Sequence, residues 1–397
     1  MKRLLVLAAS ALQVPVIKKA RELGCYVIAA DSNPNAAGFQ YADKAVVTNI
    51  VSEEEMLKVA RNENIDGVIH PCSEVSMSVM GYINQELRLN GINKETAIRA
   101  TNKHLMRVAF ERGGAPGPKS YCTENAIGAW EIFCDELNSR AILKPSRNSG
   151  SRGIADIKKG ISYEKFLQLY QRAFNESRDK QVLIEQFIEG PEFSVEIIIW
   201  QEEPHILTVT DKKTTEAPYF VELGHNQPSV FPKEIIRTVM DAAVAGTKAL
   251  GLNNCAAHAE VKVQNGKAYL MEIGARLGGD FISTELVHLS TGIDMVAAAI
   301  NVALGMAPCL EPREEKHGVA IRYFCPKPGK LISVNNTEVF RKKHIYDVQI
   351  YYKSGDIIPE VKSSLDRSGY VIVTDETPQM AVKKADEVIK VVNFVIE

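Results

Sequence analysis

What the chain lacks narrows its function before any motif is read. The turn after its first apolar run reads Ala8-Ala9-Ser10-Ala11-Leu12-Gln13, with no G-x-G-x-x-G. Without those glycines a backbone cannot approach a pyrophosphate closely, which argues against a nicotinamide dinucleotide with Asp31 on its ribose. A G-x-x-x-x-G-K-[ST] phosphate loop is absent too. The seven cysteines (Cys25, Cys72, Cys122, Cys134, Cys255, Cys309, Cys325) are scattered and never spaced CxxC. That argues against a disulfide framework and a zinc site, and for a reducing cytosol, so a cytoplasmic protein is expected. Net charge is only −2 over 397 residues, and no run of Lys/Arg stands out, so no nucleic-acid partner is expected. No apolar run approaches the length that spans a membrane, so no membrane partner is expected. Lys2-Arg3 followed by Leu4 to Ala9 superficially resembles a secretory leader, but its apolar core is six residues. That is shorter than the ~7–15 of a leader, and it runs straight into a helical pattern. It reads as a buried first strand.

What is present is ordinary for a globular protein: 45% hydrophobic and 24% charged residues, enough for several domains with real cores. Strand patterns at 4–8, 26–30 and 66–70 alternate with helical patterns at 13–23 and 53–62. Such alternation predicts an open, doubly wound parallel sheet with helices on both faces. Ligands of these sheets lie beyond the carboxyl ends of the strands, which makes Ser10, Ser73 and Glu74 substrate-side candidates. Ser73 and Glu74 read equally well as helix caps. A helix opening at Thr101-Asn102-Lys103-His104 closes at Gly113-Gly114, and the Gly/Pro-rich stretch from Arg112 to Lys119 marks a boundary. Two α+β units follow, the second ending near 310 in an Ala-rich helix over 293–304. The remainder shows strands at 318–325 and 346–352, then a helix with Thr377 as cap and Pro378 at its first position.

The chemistry concentrates in a hairpin. Ala257 to Val263 and Lys267 to Arg276 flank Gln264-Asn265-Gly266. His258, Glu260 and Lys262 alternate with apolar residues, so one face of the first strand is polar. With a three-residue loop, Val263 pairs with Lys267 and the two acids Glu260 and Glu272 share a face as diagonal neighbours. A two-residue loop sends one of them to the opposite face. Two converging carboxylates suit Mg²⁺ beside substrate phosphates, and Arg276 is spaced to reach the same phosphates. An acidic solvated face is the plain alternative. Three further elements have weaker signals of their own. Lys144 ends an apolar strand before a loop carrying Ser149, Gly150, Ser151 and Gly153, whose amides and hydroxyls suit an anion. Glu185-Gln186-Phe187-Ile188 and Glu192 flank a Gly190-Pro191 break, where exposed backbone can read a purine edge. Lys103 is a lone cation at a helix start.

With these elements in this order, the chain resembles the ATP-grasp superfamily over essentially its whole length. The resemblance implies an ATP-grasp fold: a doubly wound parallel-sheet domain over 1–100, two α+β subdomains over 101–185 and 186–310 that clasp ATP, and a small α+β part over 311–397. It implies that Lys103, Lys144 and the Ser149-Gly150-Ser151 loop contact ATP phosphates. Glu185, Gln186, Phe187 and Ile188 would hold adenine, and Glu192 the ribose. Glu260 and Glu272 would ligate Mg²⁺ or Mn²⁺, with Arg276 and Lys144 acting on the transferring phosphoryl group. One departure stands out: many members read Glu-x-Asn-x-Arg at the second metal strand, whereas this chain has Gly274 between Glu272 and Arg276. The branch most similar is the L-amino-acid ligases, through Ala256 to Lys262, Gly274 to Gly279, and Phe220 to Pro228. That likeness implies a carboxylate–amine ligase working through an acyl phosphate, as a homodimer acting on small molecules. Glu222, His225, His258 and an anion nest at Gly278-Gly279 join the substrate-side candidates. A non-catalytic ATP-binding module is the alternative that Gly274 keeps open.

Overall fold

The structure, a computed structural model, describes residues 1–148, 152–217, 219–312 and 315–397. The leader-like start is the central strand Arg3–Leu7, with Leu4 to Leu7 fully buried. It pairs in parallel with Tyr26–Asp31 on one side and Gly67–Ile69 on the other, and Lys44–Val47 closes the four-stranded sheet. Parallel neighbours need crossovers, which the helices Val14–Glu22 and Glu53–Asn62 supply. The second starts where Ser52 accepts from the Glu55 amide and three glutamates fill the first turn, matching the helix dipole. Asp31 accepts from the Ala9 and Asn33 amides, so it ties down the turn at the end of the first strand.

The helix carrying Lys103 spans Lys103–Arg112, with Asn102 as its cap and Gly113 at its end. It leads into an antiparallel sheet of Ser120–Thr123, Val182–Gln186, Arg140–Pro145 and Ala155–Lys158, in that order. Phe133, Leu143, Ile157, Phe166, Tyr170 and Ile184 give this unit its own core. An eight-stranded sheet forms the rest of the frame. Its order is Lys267–Gly274, Cys255–Gln264, Glu192–Trp200, Glu203–Thr214, Glu222–Gln227, Gly318–Tyr323, Gly369–Asp375 and Ile345–Ile350. The sheet therefore continues without a break across residue 310, where a domain boundary is expected from sequence. Helix Lys233–Leu250 covers it, and its core is continuous with the first domain through residues such as Leu5, Met106, Val195 and Ile273. The Ala-rich helix runs Met295–Ala303 and packs on the other face of the first sheet. Thr377 and Pro378 open the last helix, Pro378–Val391, as expected. Among the described residues no single helix is long and apolar enough to cross a membrane.

Candidate active site

The hairpin turns on two residues, not three: Gln264 pairs with Lys267 and Val263 with Ala268. Asn265 and Gly266 both have positive φ, +51° and +74°, as a two-residue Asn-Gly turn requires. By itself this register would put Glu260 and Glu272 on opposite faces. A β-bulge reverses the effect. Val261 pairs with Leu270, the next pair is Glu260 with Glu272, and Met271 is the extra residue. The carboxylates thus stand directly opposite each other, closer than the diagonal arrangement expected. Like charges directly opposite repel, and two ammonium groups relieve them. Lys212 Nζ lies 3.1 Å from Glu260 and Lys103 Nζ 3.0 Å from Glu272.

Arg107 supports this bulge from behind. Its Nη2 donates to the Met271 carbonyl at 2.7 Å, while its Nε donates to Glu185 at 2.7 Å. Glu185 also takes Lys144 Nζ at 2.5 Å and Ser120 Oγ at 2.8 Å. Its oxygens therefore hold an arginine, a lysine and a hydroxyl. Arg276 donates to Glu74 at 3.2 Å and to the Leu277 carbonyl at 3.1 Å. Its buried Nε has no partner among the described residues. The guanidinium lies across Gly274, where a Cβ would come 3.2 Å from Arg276 Cγ and 3.3 Å from Nε. The space a side chain at 274 would need is here taken by the arginine itself.

These groups surround a cavity of about 260 Å³ between the antiparallel subdomain and the large sheet. Glu74, Lys103, Lys144, Glu185, Gln186, Phe187, Ile188, Glu192, Glu222, His258, Glu260, Glu272 and Arg276 all line it. Phe187 is stacked by the Arg140 guanidinium at 3.5 Å, and the Ile188 carbonyl accepts from Lys262 at 3.2 Å. Other candidates lie elsewhere. Ser10 bonds Gln13 at a 3-10 turn, and Ser73 Oγ accepts from the Val75 amide; neither lines the cavity. His225 is 1% exposed and faces Asp280 at 3.5 Å, in a cluster where Arg367 grips Asp280 through two 2.7 Å bonds. The Gly278 amide donates to Ser283 Oγ at 2.8 Å, so at that residue the expected anion nest is already occupied. Gly279 is not among the lining residues. Ser149, Gly150 and Ser151 lie outside the described residues.

Most of the cavity falls in a segment that resembles known proteins. An ATP-grasp domain matches residues 137–285, which carry every cavity residue except Glu74 and Lys103, and L-amino acid ligase C-terminal domain 2 matches residues 322–397. Residues 137–285 are thus an ATP-grasp domain, and residues 322–397 are similar to the C-terminal domain of L-amino acid ligases. Alanine--anticapsin ligase of Bacillus subtilis is 27% identical over 269 residues, covering 63% of this chain and 56% of that protein. Dapdiamide A synthase of Enterobacter agglomerans is 24% identical over 321 residues, covering 78% and 75%. The chain spans 56% to 66% of the length of the first curated relatives it matches. Among solved structures, L-amino acid ligase from Bacillus licheniformis superposes with a TM-score of 0.83 over 100% of this chain and 99% of that one, at 20% identity.

Several residues of this site escape a reading of the sequence. Lys212, with a side chain 5% exposed, bridges Glu192 at 2.6 Å and Glu260 at 3.1 Å. The alternation Thr208, Thr210, Lys212 was the available signal, since it puts Lys212 on a polar row. Arg107 carried none. Glu196, fully buried, bonds His258 Nδ1 at 2.5 Å and accepts from Ser283 Oγ at 3.1 Å. His258 Nε2 then stands 3.6 Å from Glu260, so this histidine buttresses a candidate metal ligand.

Charge states follow from this pairing. Burial opposes the Glu260 charge, but Lys212 and His258 outweigh it and hold its pKa well below the carboxylate range. Burial likewise opposes charge on His258, yet Glu196 lifts its pKa to about 9. Lys144 moves the other way: burial pulls it down to about 8 despite Glu185. Burial and the neighbouring Glu272 push Glu74 upward against Arg276. Among the described residues no group of three or more His, Cys, Asp or Glu forms a protein-only metal cage. Two facing carboxylates in a polar cavity instead fit a hard cation that keeps waters and substrate phosphates as its remaining ligands. Glu260 and Glu272 are the residues that fit Mg²⁺.

Proposed function

We propose that the protein is an ATP- and Mg²⁺-dependent ligase that joins a small carboxylate, amino acids among the candidates, to an amine and releases ADP and phosphate. The observation that carries this reading is one cavity in which Glu260 faces Glu272 while Lys103, Lys144 and Arg276 converge on the same space. Ile142, Ile154, Phe187, Ile188 and Met271 give it an apolar lining suited to adenine, with Glu192 for the ribose. In the first step a carboxylate oxygen attacks the γ-phosphorus, the bond to the β-phosphate oxygen breaks, and ADP leaves an acyl phosphate. In the second, the amine lone pair attacks the acyl carbon, the bond to the phosphate oxygen breaks, and the nitrogen loses a proton. The protein's work in phosphoryl transfer is positioning and neutralisation of charge. Lys103, Lys144 and Arg276 supply that neutralisation, each well-aimed donor in a water-poor site contributing roughly 3–4 kcal/mol. Glu260 and Glu272 would hold magnesium, which would supply further neutralisation of the triphosphate charge. Lys103 and Lys212, which pair with these carboxylates here, would then be free to meet phosphate. In the same reading the protein is a cytoplasmic homodimer whose cysteines stay reduced; all seven are free.

The test is a matrix of carboxylates and amines with Mg·ATP, scored by ADP and phosphate release. Release that requires both partners, with one phosphate per coupled product, is expected. Nucleotide binding with no release for any pair would return the protein to a non-catalytic ATP-binding role.

A further inference from the structure

Beyond Glu74 the cavity has a side recess. Glu74 and Asn148 line both spaces, and Val75, Ser78, Thr101, Arg147 and Arg178 complete the recess, whose volume is about 30 Å³. That is room for a group of carboxylate size, about the share of one water in liquid. Arg147 is half-buried and Arg178 exposed, and they meet where the Arg178 amide donates to the Arg147 carbonyl at 3.3 Å.

The charge pattern here differs from the main cavity. Lys103, Lys144, Lys212 and Arg276 each have a carboxylate within 4 Å: Glu272, Glu185, Glu192 and Glu74. Arg147 and Arg178 have none among the described residues. The acids nearest in sequence are engaged elsewhere. Asp179 accepts from Asn102 and Ser177, and from Ser146 Oγ at 2.5 Å. Glu176 accepts from Asn148. Two like charges at one small opening repel unless an anion joins them, and a guanidinium is the group best shaped to hold a carboxylate or phosphate. On the wall toward the nucleotide stands Glu74, an acceptor suited to an ammonium group.

We propose that this recess is the anion end of the amine site: the amine substrate carries a carboxylate or phosphate held by Arg147 and Arg178, with its amino group beside Glu74 and directed into the main cavity. The inference rests on the ligase reading, and it narrows the acceptor to zwitterionic amines such as amino acids or phosphorylated amines. An acceptor fixed at both ends presents its nitrogen in one orientation, which is what attack on an acyl phosphate needs.

The experiment uses the full chain and the double variant Arg147→Gln/Arg178→Gln. Thermal shifts are measured with a non-hydrolysable Mg·ATP analogue present, against amino acids, their carboxamides and O-phosphoethanolamine. Amino acids acting alone mark a carboxylate site, and phosphoethanolamine acting alone marks a phosphate site. For any amine that supports ADP release, KM is then compared between acid and amide. The expected result is an acid-over-amide preference in the natural protein of roughly ten- to hundredfold per arginine, collapsing toward unity in the double variant. An amide that shifts and turns over as well as its acid would overturn the proposal. So would a KM for ATP that rises in step with that of the amine, because the arginines would then belong to the nucleotide. Absence of ADP release with every amine defeats the ligase reading separately. The recess is still judged by the thermal shifts, and if no anionic amine shifts the natural protein more than the double variant, the proposal fails.

Discussion

Glutamine in place of Glu185 tests how the site tolerates its buried charges. The Glu185 side chain is 4% exposed and sits between Arg107 at 7% and Lys144 at 9%. Glutamine keeps the volume and a bond to Ser120, but removes the only negative charge that either cation contacts within 4 Å among the described residues. Breaking a buried pair by neutralising one partner costs about 3–5 kcal/mol. The ionisation of Glu185 gives a second route to the size of the effect. Burial works against its charge, Arg107 and Lys144 outweigh burial, and its pKa falls from 4.5 to about 2. A fall of that size corresponds to ~3 kcal/mol. The lower figure is the better expectation, since Lys144, already drawn down to about 8, can release its proton once its counter-charge is gone. Because the folded pKa is depressed, the contribution is present above pH 4.5 and is lost as pH falls toward 2. Urea unfolding followed by Trp130 fluorescence reports on this subdomain, for Trp130 packs edge-on against Phe166 at 5.0 Å. The variant should lose ~3 kcal/mol at pH 7, and the gap should narrow below pH 4.5. A loss under ~0.5 kcal/mol, or a gap that stays constant down to pH 3, would refute the idea that this carboxylate holds two cations together.

Two more outcomes follow from the same geometry. Glu196→Gln weakens the grip of His258 on Glu260 without touching the cavity, and partners of this outer kind typically change metal affinity by about 10–100-fold. Mn²⁺ titration by magnetic resonance with ADP present should register that loss, with nucleotide affinity in metal-free buffer unchanged; equal Mn²⁺ binding would make Glu196 merely structural. Gly274→Asn introduces the asparagine of the Glu-x-Asn-x-Arg pattern, yet its Cβ would press on Arg276 Cγ and Nε at 3.2 and 3.3 Å. Displacing the guanidinium by even part of an ångström should lower kcat by roughly tenfold or more. A rate that holds or rises would show that the asparagine fits beside the arginine.

The parts of this site legible in the sequence are those set by local rules. Asn102, Ser52 and the Thr377-Pro378 pair each begin a helix where their side chains predict it, because capping involves only neighbours in the chain. Asn265-Gly266 was equally readable as a two-residue turn, the strongest short-range hairpin signal. The three-residue reading got the loop wrong and the shared face right, since the bulge at Met271 supplied the missing register shift. Nothing in Leu270-Met271-Glu272 marks a bulge; what holds it is Arg107, 164 positions earlier in the chain. Glu185 was read into the site, but its pairing with Arg107 was not legible, for the same reason. Its neutralising groups come from Arg107 and Lys144, and such pairings are decided by the packing of separate elements.

The pairing of charges also dictates how a nucleotide enters. Six carboxylates and six lysine or arginine side chains line the cavity among the described residues, and the acids facing one another are each held by an ammonium group. Free ATP arriving alone would draw Lys103 and Lys212 onto its phosphates and leave Glu260 and Glu272 opposed at close range. Magnesium arriving alone would take the two carboxylates and leave buried ammonium groups without a counter-charge. Each half-step therefore strips compensation from groups that water restores only in part, Lys212 and Lys103 least of all. If metal and triphosphate entered together, each of these four groups would exchange one partner of opposite charge for another, which is what the two-residue turn, the bulge and Arg107 would favour in a site that takes Mg·ATP as a unit.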